Sequence, residues 1–413
     1  MKIAAKDFKM TELGPIPKDW EVKRFDDCFD FAAAGDLREE CYNRERVGNC
    51  VYPIFSNSLA NKGLYGYTSS PRYKADSITI TGRGTLGHAE YRGEAFDAII
   101  RLLILTPKQE VDCRFVVDWI NHINPFVNES TSIPQLTVPQ VAGSWFVFPP
   151  LPEQRKISAA LSDVDEMIAA LEKLIEKKRK IKTGAMQRLL IGPSSPDGFA
   201  VTGKTRLPGF KGAWVEKRLG EFGETYNGIG GKTKDDFGKG PARYITFLNV
   251  LTNPVLDETL FEPVNVLPAD GQNRAKKGDL FFNTSSETPE EVGICSMLAT
   301  DQAELYLNSF CFGFRLFDDN VSPLFLSYYF RSADGRLLMT TLAQGSTRYN
   351  LSKESFKDAC IAIPPTLAEQ KAIAKVLGDM DEEIAALEAE LAKTRQLKQG
   401  MMQELLTGKV RLV

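Results

Sequence analysis

The chain contains one long segment twice. Residues 149–192 begin PPLPEQ and end QRLLIG, and residues 364–408 begin PPTLAEQ and end QELLTG. Adding 216 to each number of the first copy gives the second, in pairs such as Glu153/Glu369, Gln154/Gln370, Ile157/Ile373, Leu161/Leu377, Gln187/Gln403 and Gly192/Gly408. A chain that repeats one element and varies the rest is predicted to hold two different structures at a fixed separation.

The repeat extends into the sequence before each long segment, with the matched pairs Trp20/Trp214, Asn57/Asn249 and Leu136/Leu351. The offset drifts from 194 at the tryptophans to 216 in the long segments, so the second block has 22 more residues (216 − 194). We expect these insertions in loops. The predicted division is a block at 1–148, a helix at 149–192, a second block at 193–363 and a second helix at 364–413.

Inside the blocks, short apolar or alternating runs predict strands at 77–81, 98–105, 279–284 and 310–317. Segments 114–123 and 323–332 predict short helices. The predicted fold class is α+β. It consists of two globular mixed α/β domains separated by two long antiparallel coiled-coil helices, with an internal pseudo-two-fold repeat.

Apolar residues recur in both long segments at alternating spacings of four and three, which is the pattern of a heptad seam. The first seam is Ile157, Leu161, Val164, Ile168, Leu171 and Ile175, and the second is Ile373, Leu377, Met380, Ile384, Leu387 and Leu391. Two seams in one chain predict that the helices pack on each other. The alternative is that each helix lies on its own block.

Charge predicts the direction of that packing. Residues 153–172 carry five acids and two bases, and residues 173–192 carry one acid and seven bases. Residues 368–388 carry six acids and two bases, and residues 389–411 carry two acids and five bases. Parallel packing would place like charges together, whereas antiparallel packing places acidic halves against basic halves. We therefore expect an antiparallel pair.

The length of the helices suggests a target. A helix of about 39 residues is about 58 Å long, and this length corresponds to about 17 base pairs of DNA. Blocks related by a pseudo-two-fold axis would meet two half-sites, as in DNA-binding dimers. Because the blocks differ, the target would be asymmetric.

Composition excludes several protein classes. No apolar run approaches the roughly 18 residues of a membrane span, and the first residues lack the apolar core of a secretory signal. The seven scattered cysteines indicate reduced thiols and a cytoplasmic protein, and the two histidines argue against a histidine-rich metal site. The net charge of −3 argues against a uniformly basic surface, so a DNA site would be a local patch.

Motifs for catalysis or nucleotide binding fail in their context. Gly82–Gly87 matches GxGxxG, but no convincing helix follows it, so we interpret it as a tight turn that presents Arg83 and Thr85 to a polyanion. The Gly231-Lys-Thr segment has Tyr226 where a P-loop needs its first glycine. The Asn-Pro-Phe at 124–126 lacks the second proline of an amino-methyltransferase motif. The sequence therefore predicts no catalytic residue and no metal ligand.

Polar clusters remain as candidate DNA contacts. Their side chains can bond base edges or phosphates, and they are Ser56, Asn57, Arg83, Thr85, Ser132, Gln135, Asn249, Ser285, Ser286, Glu287, Thr288, Thr347, Arg348 and Asn350. The alternative is that they are turn and cap residues.

Taken together, the chain resembles the specificity (S) subunits of type I restriction-modification systems, the HsdS family. The resemblance covers essentially the whole chain. It is carried by the two proline-glutamine helix starts, the QRLLIG and QELLTG helix ends, Trp20 and Trp214, the turn ITGRGTLG, and GDLFFNTSSETPEEVG at 278–293.

The resemblance implies that the blocks are target-recognition domains, each of which reads half of a bipartite site in double-stranded DNA. The helices would set the spacer and dock two modification (M) subunits, which methylate adenine N6 with S-adenosylmethionine. Restriction (R) subunits would add an endonuclease that uses ATP and Mg. The S chain itself would carry no cofactor and no chemistry.

Two other classes stay open from the residues alone. A non-enzymatic two-headed scaffold that binds proteins or glycans would show no sequence-selective retention on DNA. An autonomous enzyme would show activity as an isolated chain.

Overall fold

The computed structural model describes residues 8–126, 135–190 and 206–412. The chain forms two compact units, one of Met1–Lys173 with Glu388–Val413 and one of Leu174–Leu387. Each unit therefore contains one block, part of the first long helix and part of the second.

In its described residues, the first unit combines short strands with three short α-helices and the first part of a long one. The strands are β1 (Phe8–Thr11), β2 (Gly14–Pro17), β3 (Glu21–Arg24), β4 (Phe29–Ala33), β5 (Tyr42–Asn43), β6 (Tyr52–Phe55), β7 (Leu64–Thr68), β8 (Ser77–Ile80), β9 (Ala89–Arg92), β10 (Asp97–Ala98), β11 (Leu103–Pro107) and β12 (Trp145–Phe148). The helices are α1 (Phe25–Cys28), α2 (Cys113–Ile123), α3 (Val138–Gly143) and α4 (Leu151–Leu189).

The second unit has the same kinds of element. Its strands are β13 (Val215–Arg218), β14 (Gly223–Asn227), β15 (Phe237–Ile245), β16 (Glu262–Val264), β17 (Leu280–Asn283), β18 (Ser285–Ser286), β19 (Cys295–Met297), β20 (Leu305–Leu307), β21 (Cys311–Leu316), β22 (Ala343–Gln344), β23 (Tyr349–Leu351) and β24 (Cys360–Ile363). Its helices are α5 (Phe247–Thr252), α6 (Pro323–Arg331), α7 (Ala333–Leu342), α8 (Lys353–Asp358) and α9 (Leu367–Leu405).

The sheets of the two units have matching strand orders. An antiparallel sheet runs β4-β11-β8-β9 in the first unit and β14-β21-β17-β19 in the second. A second sheet contains β10-β6-β7 or β20-β15-β16, in which the first pair is parallel and the second antiparallel. A two-stranded pair, β12-β3 or β13-β24, adjoins the helix in the sequence. The α+β repeat predicted from the sequence is confirmed.

One predicted strand is wrong as a single element. The run at 98–105 is divided between β10 and β11, and Ile100 and Arg101 between them have φ values of +54° and +55°. The chain leaves its parallel pairing with β6 here and turns into the antiparallel sheet beside β8. Apolar residues continue through the turn, so the sequence pattern does not mark it.

Aromatic residues fill the core of each unit. In the first unit, Phe25 stacks on Phe146 with ring centroids 4.5 Å apart, beside the fully buried Trp20 and Trp119. In the second, Phe282 stacks on Phe312 at 5.3 Å. Large aromatic side chains contribute most of the apolar area that leaves water on folding.

The long helices contribute to both cores, and this result combines the two alternatives of the sequence analysis. Ile157 and Leu161, near the start of α4, lie in the core of the first unit with Leu405, which ends α9, and Leu406, which follows it. In the second unit, Ile373 and Leu377 from the start of α9 share the core with Leu190, which follows α4. The beginning of each seam therefore packs on its own block, and the end of the other helix packs there too.

The middle of each seam is less completely buried than its beginning. Leu171, Ile175, Ile384 and Leu391 are buried, whereas Val164, Ile168, Met380 and Leu387 are half-buried. Each helix within the described ranges is too short or too polar to span a lipid bilayer.

Ion pairs within each unit confirm the antiparallel direction. In the first unit, Lys398 lies 2.6 Å from Asp165, and Arg395 lies 2.6 Å from Glu172. In the second, Lys178 lies 2.5 Å from Glu383, and Lys182 pairs with Asp381. As the residue number rises along α4, it falls along α9, and basic ends meet acidic starts as the charge pattern predicted.

The repeated glutamines join each long helix to its block. Gln154 Oε1 accepts a hydrogen bond from the Asp112 N–H, 2.9 Å away, at the N-cap of α2. Gln370 Oε1 accepts one from the Ser322 N–H, 2.8 Å away, at the N-cap of α6. A buried amide that caps the block's own helix explains why this residue occurs in both copies.

Candidate nucleic-acid interface

In the first unit, a tight turn joins β8 to β9 and exposes two candidate residues. Gly84 and Gly87 have φ values of +73° and +79°, in the left-handed region that favours glycine. Thr81 Oγ1 donates to the carbonyl of Thr85 and accepts from the His88 N–H at 3.0 Å, which closes the turn. Strand β9 follows where a dinucleotide fold needs a helix, and Arg83 and Thr85 are exposed.

This turn meets a second candidate from later in the chain. Arg83 Nη2 donates to Gln135 Oε1 at 3.2 Å, and the Leu136 N–H donates to the Gly82 carbonyl at 3.0 Å. Two predicted residues that are 52 positions apart thus share one exposed surface. Ser132 lies outside the described residues.

A third segment reaches the same surface through the turn at Ile100 and Arg101. Asn57 Nδ2 donates to the Ile100 carbonyl. Its Oδ1 is buried, with no hydrogen-bond partner among the described residues. A Cβ atom on Gly82 would lie 2.8 Å from the Arg101 carbonyl oxygen, so the two turns are in close contact. Asn57, Arg83 and Gln135 therefore border one continuous surface.

In the second unit, a three-stranded sheet collects the predicted residues. Its order is β18-β23-β22, and Ser285 lies opposite Asn350 in the register. Arg348 Nε donates to Ser285 Oγ at 3.3 Å, and Asn350 Nδ2 donates to the Arg348 carbonyl at 3.1 Å. Thr347, Arg348 and Asn350 are exposed.

The loop after β18 carries the other candidates of this unit. Ser286 Oγ donates to Glu291 Oε2 at 2.8 Å, and Glu287 and Thr288 are exposed. The buried Asn283 fixes the loop, because its Nδ2 donates to the Glu291 carbonyl at 2.8 Å and its Oδ1 accepts from the Ile294 N–H at 2.7 Å. Glu287 and Thr288 are therefore exposed on a loop whose backbone is fixed by the hydrogen bonds of Asn283.

The two surfaces occupy the same place in the repeated fold. The Leu351 N–H donates to the Thr284 carbonyl at 2.9 Å, which matches the bond from Leu136 to Gly82 in the first unit. The Thr284 N–H donates to the Phe310 carbonyl at 2.9 Å, where Gly82 approaches Arg101 in the first unit. One scaffold thus presents two different sets of polar groups.

Two predicted contacts need correction. Asn249 is fully buried; its Nδ2 donates to the Asp257 carbonyl at 2.7 Å, and its Oδ1 accepts from the Asp257 N–H at 3.0 Å. Ser56 is 7% exposed, and its Oγ donates to the Gly63 carbonyl at 3.3 Å. Both side chains are buried and hydrogen-bonded to the backbone of nearby turns, so they stabilise those turns and do not reach an external ligand. This agrees with the alternative that such polar residues are turn and cap residues.

Strand β9, which follows the turn at 82–87, carries a buried arginine, Arg92. The Arg92 guanidinium lies 3.5 Å from the Phe55 ring centroid, and its Nε donates to Thr79 Oγ1 at 2.9 Å. Burial lowers the pKa of Arg92 to about 10. Burial would raise the pKa of the neighbouring Glu90, but a hydrogen bond from His88 and the charge of Arg92 outweigh it and lower that pKa. Arg92 and Glu90 therefore stay charged at neutral pH.

The arrangement suits binding. Exposed and half-buried arginine, asparagine, glutamine, serine and threonine groups offer donors and acceptors for base edges and phosphates. Within the described ranges, no group of three or more histidine, cysteine, aspartate or glutamate side chains is placed to hold a metal ion.

Comparisons with known proteins agree with this picture. A family model described as the type I restriction modification DNA specificity domain matches residues 17–183 and 211–397. A Methanocaldococcus jannaschii protein named as the MjaX type I specificity subunit is 27% identical over 98% of this chain and 97% of its own length.

Solved structures show the same fold. The S subunit of a type I restriction-modification system from M. genitalium superimposes with a TM-score of 0.61 at 15% identity, over 96% of this chain and 97% of that one. A chain from a study of complex assembly and conformational transition of the type I system superimposes with a TM-score of 0.56 at 14% identity, over 96% and 99%.

Proposed function

Because this chain belongs to the type I restriction-modification DNA specificity family, we propose that each of its units reads one half of an asymmetric bipartite DNA site. The observation that carries the proposal is the repeated scaffold with unlike polar groups. Arg83 and Gln135 stand in the first unit where Ser285, Arg348 and Asn350 stand in the second. Different side chains at one position of a fold select different bases.

We further propose that α4 and α9 set the number of unread base pairs between the half-sites and dock the modification subunits. Several exposed positions of the two helices carry the same residue under the repeat, among them Asp163/Asp379, Glu166/Glu382 and Lys177/Lys393. Two copies of one partner would therefore find these groups in equivalent places. Two M subunits with one such chain would methylate adenine N6 with S-adenosylmethionine. R subunits would add ATP- and Mg-dependent cleavage.

This chain would be the non-catalytic subunit of that cytoplasmic complex. The sequence supports this proposal, because its partial matches to catalytic and nucleotide-binding motifs lack the residues or the helix that those motifs need. A base that is methylated must leave the helical stack and enter an enzyme pocket, which the M subunit would supply. The proposed contribution of this chain is to choose the site.

Methylome sequencing of the host with and without this gene tests the proposal. Adenine methylation at one asymmetric bipartite motif should disappear on deletion and return with the intact gene. A methylome that keeps every motif would contradict the proposed function. The scaffold alternative is tested with the purified M–S complex, which should retain duplexes that carry the motif over duplexes with either half scrambled.

A further inference from the structure

Each unit has a corner where the chain passes from the parallel strand pair into the antiparallel sheet. We define the corners as residues 99–102, between β10 and β11, and residues 308–310, between β20 and β21. Each presents one large apolar side chain to solvent: Ile100 is 52% exposed and Phe310 is 59% exposed. A single exposed apolar residue is ordinary on a protein surface, so the further features of these two decide their meaning.

Both corners are held rigidly. The Ile100 N–H donates to the Gly35 carbonyl at 3.2 Å, and the Ile100 carbonyl accepts from Asn57 Nδ2. The Phe310 N–H donates to Asn308 Oδ1 at 2.8 Å, and its carbonyl accepts from the Thr284 N–H at 2.9 Å. Because the backbone is bonded on both sides, the exposed side chain has a fixed place from which to contact a ligand.

The first corner also keeps an unfavourable conformation. Ile100 has a φ of +54°, which is rare for a β-branched residue. The surrounding fold must impose this conformation, and such outliers cluster at binding sites. A turn built only to connect two strands would be more stable with glycine or asparagine here.

Each corner borders polar groups that we propose as DNA contacts. The first lies against Gly82, next to Arg83, and is bonded to Asn57. The second is bonded to Thr284, next to Ser285. An exposed apolar side chain next to hydrogen-bonding groups fits a nucleic-acid groove, where methyl groups and base faces lie among polar edges.

We propose that Ile100 and Phe310 make apolar contacts with a base, one in each half-site, and so add a readout that the polar residues do not supply. The inference rests on the proposed function. The shared chemistry is an apolar surface of DNA. It is either the C5-methyl group of a thymine in the major groove or the face of a base at an opened step.

The test uses the complete M–S complex and a duplex that carries the motif found in the methylome. Ile100→Ala should lower methylation and affinity by roughly tenfold, through the half-site read by the first unit, and Phe310→Ala should do so through the other. Phe317→Ala is the matched control, since Phe317 is 63% exposed and lies just beyond the opposite end of β21. Met10→Ala, 77% exposed, serves for the first unit.

A second variant separates contact from folding. Ile100→Gly relieves the positive φ, so its unfolding temperature should equal or exceed that of the wild type while its DNA affinity still falls. Deoxyuridine in place of thymine distinguishes the two surfaces. If deoxyuridine lowers the affinity of the wild type but does not lower the affinity of the variant any further, the contact is the methyl group. If deoxyuridine has no effect while the variants remain weak, the contact is an opened step.

Variants with wild-type affinity at both half-sites would overturn the inference and leave the proposed function standing. A wild-type complex that shows no sequence preference would overturn both.

Discussion

The Arg411 guanidinium donates two hydrogen bonds to the Glu153 carboxylate, from Nε to Oε1 and from Nη2 to Oε2, each at 2.6 Å. Arg411 follows the second long helix, and Glu153 begins the first. The pair lies in the interior, with side chains 10% and 3% exposed, and Trp20 Nε1 donates to the same carboxylate at 2.9 Å. In the second unit, Arg206 holds Glu369 in the same way at 2.5 Å. The repeated glutamate therefore joins the start of one helix to the chain that follows the other.

Replacing Arg411 should destabilise the first unit strongly. Arg411→Ala leaves a buried carboxylate without its cation, and this typically costs about 3–5 kcal/mol of unfolding free energy. Arg411→Lys should have a stability between those of Arg411→Ala and the wild type, because an ammonium group keeps the charge but cannot form the bidentate contact. Denaturant unfolding measures both. Arg395→Ala is the control, since its pair with Glu172 is 58% and 49% exposed and should contribute about 0–1 kcal/mol.

Equal losses for Arg411→Ala and Arg395→Ala would contradict the structural importance given to the buried pair.

Asp118 should make the stability of the first unit depend on pH. Burial raises its pKa to about 7 from an ordinary 3.8; Lys398 opposes the shift, while Asp165 adds to it. Between these values the unfolded chain has released the proton and the folded chain retains it, so stability is full below about pH 4 and declines as the pH rises to about 7. Asp118→Asn should therefore gain stability relative to the wild type across this window.

Thermal unfolding at pH 4.5 and at pH 7.5 measures that gain. The exposed Asp163→Asn is the control and should differ from the wild type equally at both pH values. A constant difference for Asp118→Asn as well would contradict the raised pKa.

The sequence predicted most reliably what depends on many residues at once. The direction of the helix pair followed from charges summed over forty positions, and Lys398–Asp165 and Lys182–Asp381 are copies of one pair under the repeat. Individual residues were less predictable. Asn57 and Asn249 match in sequence, yet only Asn57 borders the surface, because the surrounding loops differ and Asn249 closes its own turn.

Pairing between distant strands explains the features of the two surfaces that the sequence did not predict. Ser285 and Asn350 are 65 positions apart and share a sheet through main-chain bonds that neither local sequence specifies. The corner at Ile100 arises because β10 pairs with β6 while β11 pairs with β8, and an apolar run contains no mark of that exchange. For the same reason, the sequence did not predict that Ile100 and Phe310 are exposed at corners. The predicted strands at 98–105 and 310–317 include both residues.

The two polar surfaces should act independently on the two half-sites. Arg83→Ala should weaken binding through the first half only, and Arg348→Ala through the second only. A lost base contact costs about 1–3 kcal/mol and relaxes preference at one position, whereas a lost phosphate contact lowers the salt slope of binding by about one. Affinity titrations of the M–S complex at several salt concentrations, with each half of the duplex varied in turn, separate these results.

Arg44→Ala is the matched control, because Arg44 is an exposed arginine of the first unit that belongs to none of the named turns. If base preference and salt dependence both stay unchanged in Arg83→Ala, the turn at 82–87 does not contact DNA.

Lengthening both long helices together should lengthen the unread spacer. Inserting one heptad between Val164 and Ile168 and another between Met380 and Ile384 keeps the apolar spacing of each seam. Seven residues add about 10 Å of helix, which corresponds to about three base pairs. The methylome of a host that carries this variant should show the same two half-sites with a spacer about three base pairs longer. An insertion in α4 alone shifts every downstream charge against its partner on α9, so that variant should lose stability instead. Altered bases in either half-site would contradict the division of labour between a constant helical frame and two separate recognition surfaces.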